Sequence, residues 1–449
     1  RAIRRTWIRT LEFDIIIPCK LLDWTTRQDE NYNTSNQVRQ GNDFAFQTAI
    51  FDLFQTLHSW SQRCRLSLHL GLRVSRDNRW PIMEPEALHF PTASAYHSVD
   101  YAGRLLVEPY RARFVKNMPE RFLMRVRCID KLFFLNRNWD KPPRIWTGAV
   151  QTIIEHCPTI TELELDLNEW VRPDYLQYIQ GRRASLSSLF GNIPSSLRVL
   201  HYKGSEDGPW KHSMPALNVI PSGIDSMGTN LRNVSTHLRE LKLHRTTLSF
   251  DFLCPLDGEG EPIIGSLHWP HLKTLEIEDH VYGHWNQGNG LGQWVSNHTP
   301  QYRATIENNS WNDRMYDAQR RSGGPSVMDA AQFHRLLISL GYATQRMPCL
   351  KSLRFSMECY CQFGLRLQND ADAGMLALLS SVGKQPDNLP RPKNNNAKPS
   401  SLIWLCRARY RPDSRVAKAW RFDLDDVRID SSLGLSSVIL PRWPPDKPI

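Results

Sequence analysis

Apolar residues return along this chain in one recurring spacing. Ile160, Leu163 and Leu165, followed by Asn168, complete an L-x-x-L-x-L-x-x-N core. Five looser copies carry the same triplet: Ile129/Leu132/Phe134, Leu197/Leu200/Tyr202, Leu238/Leu241/Leu243, Leu272/Leu275/Ile277 and Leu350/Leu353/Phe355. Apolar and polar residues alternate at the end of each triplet, which predicts a short strand with one buried and one polar side.

This is the spacing of a leucine-rich repeat, a unit that buries its apolar side only against its neighbours. Stacked copies present a broad surface instead of a catalytic pocket, so the pattern points to binding. From Leu132 to Leu163, Leu200, Leu241 and Leu275 the steps are 31, 37, 41 and 34 residues, and from Leu275 to Leu353 the step is 78. A regular repeat takes about 20–29 residues, so loops or longer helices are expected between the strands. Apolar positions at helical spacing fall on these return paths: Val150, Ile153 and Ile154 after Thr147 as cap, Leu186, Leu189 and Phe190 before Pro194, and Phe333, Leu336, Leu337 and Leu340 before Leu350.

The N-terminal part alternates strand and helix before the repeats begin. Leu11 to Ile15 has period two and ends at Pro18, and a polar linker over 27–41 follows. Phe46, Ile50, Leu53, Phe54 and Leu57 then form one apolar helix face, with Asn42 or Asp43 as the expected cap. Leu66, Leu68, Leu70 and Leu72 form a second strand, so a parallel βαβ unit is expected. Residues 77–101 carry Pro81, Pro85 and Pro91 and are expected to be irregular. Past the repeats, 385–401 combines Pro, Asn and Lys as a link, and Leu402–Tyr410 and Trp420–Leu424 are expected as capping strands. The segment 281–325, rich in Gly, Asn and Trp, is expected as an insertion loop.

The fold class expected is therefore α/β: an irregular leucine-rich-repeat-like solenoid with a parallel sheet on one face and helices on the other. Its divisions are an N-terminal strand-helix-strand portion over 1–118, the repeat region over 119–370, and a linker with capping strands over 371–449.

Composition narrows the picture. At 449 residues the chain exceeds the usual single core, but a solenoid escapes that limit. The net charge is +10, and between Lys384 and Arg421 ten Lys/Arg stand against Asp387 and Asp413. Such a block could meet phosphate, yet blocks of this kind are more often solvated surface, so nucleic-acid binding is the weaker reading. Nine cysteines, an odd number with no C-x-x-C, suggest reduced thiols and a cytoplasmic or nuclear setting. Cys157 is expected in the core, and Cys359 with Cys361 reads as a chance pair. No run of 18 apolar residues exists, so no membrane span is expected.

Catalytic signatures are missing. There is no phosphate-binding G-x-x-x-x-G-K-[ST], no H-E-x-x-H and no G-x-S-x-G, and Gly288, Gly290 and Gly292 lack nucleotide-loop spacing. Asp370 and Asp372 lack the other ligands of a calcium loop, and Asp423, Asp425 and Asp426 read as strand-end charge. No cofactor, metal or enzymatic activity is expected.

The polar side of the repeat strands holds the sharper candidates. Side-chain alternation turns Glu162, Glu164 and Asp166 outward in one strand, then His201 and Lys203, then Glu240, Lys242 and His244, then Glu276 and Glu278, then Arg354. Neighbouring strands could neutralise one another through lateral pairs worth about 0.2–1 kcal/mol each. Alternatively the face selects a charged protein partner, for which Glu164, Asp166, His201, Lys203, Lys242, His244, Glu276, Glu278 and Arg354 are the candidates.

The order of segments also resembles a large set of fungal F-box proteins. Arg4-Arg5-Thr6-Trp7-Ile8-Arg9-Thr10-Leu11-Glu12-Phe13 followed by Pro18 is similar to the stretch just downstream of their F-box. Further matches are Cys157-Pro158 with Glu162-Leu163-x-Leu165-x-Leu167-x-x-Trp170, Leu238-Arg239-Glu240-Leu241-Lys242-Leu243, Trp269-Pro270-His271-Leu272-Lys273-Thr274-Leu275 and Arg346-Met347-Pro348-Cys349-Leu350. The resemblance implies the substrate-recognition arm of a Skp–cullin–F-box ubiquitin ligase, with a protein substrate as partner. The F-box itself is not in this chain, so a Skp adaptor is expected only if one precedes Arg1. The matching positions are repeat-core residues, so no functional residue is carried over.

Overall fold

A computed structural model of the chain describes residues 7–18, 37–61, 63–75, 110–115, 123–134, 144–167, 176–204, 225–246, 248–249, 252–263, 265–280, 330–357, 363–368, 400–406, 412–430 and 435–440. It is a mixed α/β protein with mostly parallel strand pairing. Two compact units divide these residues. The first holds those up to Leu197 with 202–204, and the second holds Arg198–His201 with those from Asp225 onward.

In the first unit the expected βαβ start is present. Strand β1 (Thr10–Ile17) leads to helix α1 (Gln37–His58), which packs on β1, and then to β2 (Leu66–Val74), parallel to β1 and in register from Thr10↔Ser67 to Ile17↔Val74. Strands β4 (Ile129–Phe134) and β6 (Glu162–Asp166) continue the sheet, both parallel, after the short β3 (Arg111–Ala112). That strand pairs separately with β5 (Arg144–Ile145). Helices α2 (Thr147–Glu155) and α3 (Leu176–Gly191) pack together on the return paths. Every apolar position of the first two triplets is buried, as are Val150, Ile153, Ile154, Leu186, Leu189 and Phe190. A fully buried side chain of this size contributes about 1.5–3 kcal/mol.

Two caps differ from expectation. Helix α1 starts at Gln37, which absorbs the end of the 27–41 linker and places Asn42 and Asp43 inside the helix. Both are held there by tertiary contacts instead of capping: Asn42 is fully buried, and Asp43 accepts hydrogen bonds from the Tyr110 hydroxyl and the Arg113 N–H, both at 3.0 Å. Gln47, one turn on, accepts from Val115 N–H at 3.0 Å, so α1 fastens the segment around β3. Thr147 is the first helical residue of α2, not its cap; Trp146 holds the cap position without a side-chain bond.

In the second unit β8 (Glu240–His244), β9 (Thr274–His280) and β10 (Ser352–Met357) are parallel, with β7 (Val199–Lys203) preceding them in the chain. Beyond β10 the direction reverses. Strands β11 (Phe363–Gln368), β12 (Ser400–Cys406), β14 (Leu435–Leu440) and β13 (Arg428–Asp430) follow in spatial order, all antiparallel. The few residues between Met357 and Phe363 are too short for the crossover that a parallel neighbour needs.

The capping strands are thus only partly as expected. Strand β12 ends at Cys406. The stretch expected as a strand at Trp420–Leu424 contains instead the end of helix α6 (Ser414–Trp420) and a 3₁₀ turn at Leu424–Asp426. Asp413 caps α6 by accepting from the Arg415 and Val416 N–H groups, and Asp423 caps the 3₁₀ turn through Asp425 N–H, so Asp423, expected as strand-end charge, is a turn cap. Helix α6 packs on α5 (Ala330–Thr344), with the Trp420 indole N–H donating to the Leu337 carbonyl at 2.9 Å. Helix α4 (Ser226–Ser235), capped by Asp225, precedes β8.

One backbone contact recurs between successive triplets. The carbonyl of Asp130 accepts from Thr161 N–H, and that of Arg198 from Arg239 and Glu240. The carbonyl of Arg239 accepts from Lys273 and Thr274, and that of Lys273 from Lys351 and Ser352, all at 2.7–3.3 Å. Each acceptor stands two residues before the central leucine of its triplet. The same spacing thus fixes both the core positions and the stacking contact.

The expectations for 77–101, 281–325, Cys359 with Cys361, Asp370 with Asp372, and 385–399 lie outside the described residues. Among the described residues, no helix is long and apolar enough to cross a membrane.

Candidate charged strand face

The strands that bury one side turn the other outward, and β6, β7 and β8 each read half-buried, buried, half-buried, buried, half-buried. All nine candidates, Glu164, Asp166, His201, Lys203, Lys242, His244, Glu276, Glu278 and Arg354, stand at the outward positions. Parallel register then decides which of them meet.

On the first unit, Lys203 reaches Asp166 at 3.6 Å, and Lys131 pairs with Glu162 beside it. Glu164 forms no ion pair among the described residues; the register sets it opposite Phe133. On the second unit Glu240 is a hub, accepting from His201 Nε2 and from Lys242 Nζ at 2.8 Å each. Lys242 also lies 3.9 Å from Glu276, its partner in register, and Arg354 pairs with Glu278 at 2.7 Å. His244 stands opposite Glu278 in the same register.

These pairs leave electrical traces. Partial burial works to raise the Glu240 carboxyl, but donation from Lys242 and His201 outweighs it and holds the group below its ordinary value. The hydrogen bond to Glu240 in turn lifts the Lys242 ammonium above its usual range. The lateral pairing anticipated from the sequence is thus present for most candidates. Being partly exposed, each such pair contributes about 0–1 kcal/mol, so pairing does not prevent the same charges from meeting a partner.

The sequence did not single out three members of the first unit's face. Glu12 of β1, His69 of β2 and Phe133 of β4 fall in one transverse row with Glu164 through the pairings Glu12↔His69, His69↔Phe133 and Phe133↔Glu164. The His69 and Phe133 rings stack at 4.4 Å with 13° between planes. Outward alternation of β1 and β2 was the available signal; the register joining them to the repeats was not.

Other chemistry is sparse. Among the described residues no group of three or more His, Cys, Asp or Glu is arranged to hold a metal ion. Cys64, Cys128, Cys157 and Cys254 are buried free thiols, and burial pushes the Cys128 thiol up to about 11 and that of Cys157 further, which suppresses the reactive thiolate. In the basic stretch 384–421, Arg415 pairs with Asp413 and Lys418 with Glu261. No protein-family model matches the chain, and neither curated proteins nor solved structures give a significant match.

Proposed function

We propose that this chain is a non-catalytic protein-recognition scaffold of irregular leucine-rich-repeat-like type, which holds a protein partner on the polar side of its strands. The observation that carries this reading is the coincidence of three periodic features: buried triplets, outward charges, and a carbonyl two residues before Leu132, Leu200, Leu241 and Leu275 that accepts from the next triplet. A chain built from one repeated contact has regular surface to offer and no requirement for a pocket. The resemblance to fungal F-box proteins refines the proposal to the substrate-binding arm of a Skp–cullin–F-box ubiquitin ligase, located in cytoplasm or nucleus, with a Skp adaptor as partner only if the whole gene product carries an F-box.

The test is charge reversal of Glu164 and Asp166 together, with affinity capture of the gene product from its own cells. Loss of specific partners at an unchanged melting temperature supports recognition through this face. Loss of folding assigns the charges to lateral pairing alone. Co-purification of a Skp adaptor with the whole gene product supports the ligase refinement, and its absence removes it.

A further inference from the structure

We propose that the transverse row Glu12, His69, Phe133 and Glu164 on the first unit reads an arginine side chain of a basic partner segment. This rests on the recognition reading above and names the chemistry that its polar face selects.

Three features of the row converge on a guanidinium. Phe133 is the one Phe, Tyr or Trp at the outward strand positions of the six triplets, and it is half-buried instead of covered. Its ring is stacked on that of His69, so the two form one aromatic pair across adjacent strands. Strands in a sheet lie about 4.8 Å apart, so the Phe133 face away from His69 looks over the neighbouring strand, where register places Glu164. A planar cation entering there lies against an aromatic face and beside a carboxylate that has no ion-pair partner among the described residues.

Charge balance agrees. Around the row, Asp14 is matched by Arg73 at 2.9 Å, Glu162 by Lys131, and Asp166 by Lys203. Glu164 is left over, a carboxylate with no ion-pair partner among the described residues. The partner that completes it is cationic. Arginine fits better than lysine because its flat guanidinium stacks on a ring and donates to a carboxylate edge in the same pose, whereas an ammonium is a strongly hydrated point charge.

The probe is a fluorescein-labelled nonapeptide of Gly and Ser with arginine at its centre, titrated by anisotropy at low salt against the whole chain. Its lysine counterpart serves as control. The arginine peptide should bind at least about fivefold tighter than the lysine peptide, and Phe133→Leu or Glu164→Gln should each erase most of that preference. Lys418→Ala, on helix α6 of the second unit, should leave it unchanged. Both first-unit variants keep apolar bulk or shape, so their melting temperatures check that folding is intact. Equal binding of the two peptides, no binding by either, or an arginine preference that survives both variants overturns the proposal. Cellular partners still captured by Phe133→Leu and Glu164→Gln would leave recognition standing while this row is dismissed.

Discussion

The Tyr110 hydroxyl donates to the Asp43 carboxylate across 3.0 Å, and the same oxygen accepts from the Arg113 N–H. Burial pushes the Asp43 carboxyl up to about 6, more than those two hydrogen bonds and the charges of Arg113 and Arg39 pull it down. A carboxyl whose pKa is higher folded than unfolded binds protons more tightly in the native state. Its contribution to stability is therefore greatest below its unfolded value near 4 and is lost as pH rises through 6. Between pH 7 and pH 4 this group alone should add about 1–3 kcal/mol. Asp43→Asn keeps an oxygen for both donors and removes the titration. Melting curves should show the wild type gaining stability on acidification relative to the variant, and parallel curves would refute the assignment.

Asp14 crosses to the adjacent strand and fills the space over Gly71. A Cβ built on Gly71 would stand 2.3 Å from Asp14 Oδ1, the carboxylate that pairs with Arg73. Gly71→Ala should force Asp14 to rotate and lose that pair, at a cost of about 1 kcal/mol, since the pair is exposed and strand alanine is otherwise tolerated. The cost should shrink toward zero in an Asp14→Ala background, as coupled sites do. Additive denaturation midpoints would disprove the contact.

Much of this architecture was legible because its strands obey one rule. Every central leucine from Leu132 to Leu353 is buried, since period-two alternation with a fixed triplet leaves one arrangement for the core. Helix α4 was less visible: Met227, Leu231 and Val234 are its few apolar contacts among polar residues, although Asp225 is a recognisable cap. The strand expected at Trp420–Leu424 meets helix α6 only at Trp420, and the helix itself had a readable signal in Asp413 as cap with Val416 and Ala417 buried. The charged positions of the site could be read from alternation, but their partners could not. Whether Lys242 meets Glu240 on its own strand or Glu276 on the next depends on register and side-chain reach, which only tertiary structure fixes. The same applies to Phe133, whose neighbours His69 and Glu164 lie far from it in sequence.

Helices α5 and α6 come close together at Gly341. An added Cβ there would lie 2.8 Å from Trp420 Cδ1 and 2.9 Å from the Ala419 backbone carbonyl carbon. Gly341→Ala should destabilise the second unit by about 1–3 kcal/mol despite the better helix propensity of alanine, because overpacking outweighs that gain. Trimming Trp420 to leucine should not rescue it, since the backbone of Ala419 blocks the methyl as well. Urea unfolding of the single and double variants distinguishes this from a simple ring clash, in which the double variant would recover.

Ser196 donates to the carbonyls of Pro158 and Ile160 at 3.1 and 2.7 Å, and Thr159 between them donates to those of Arg127 and Ile129 at 2.9 and 3.1 Å. Each hydroxyl stands four residues before a central leucine and joins its turn to the residues leading into the preceding strand. Ser196→Ala and Thr159→Val should each cost about 1 kcal/mol, the usual net worth of such a bond when the carbonyls left behind are partly wetted. The two effects should not add. Removing the Thr159 hydroxyl loosens the turn that carries the acceptors of Ser196, so the second loss falls on a turn already displaced. A double variant as destabilised as the sum of the singles, measured by urea midpoint, would show that the turns are held independently instead of as a chain.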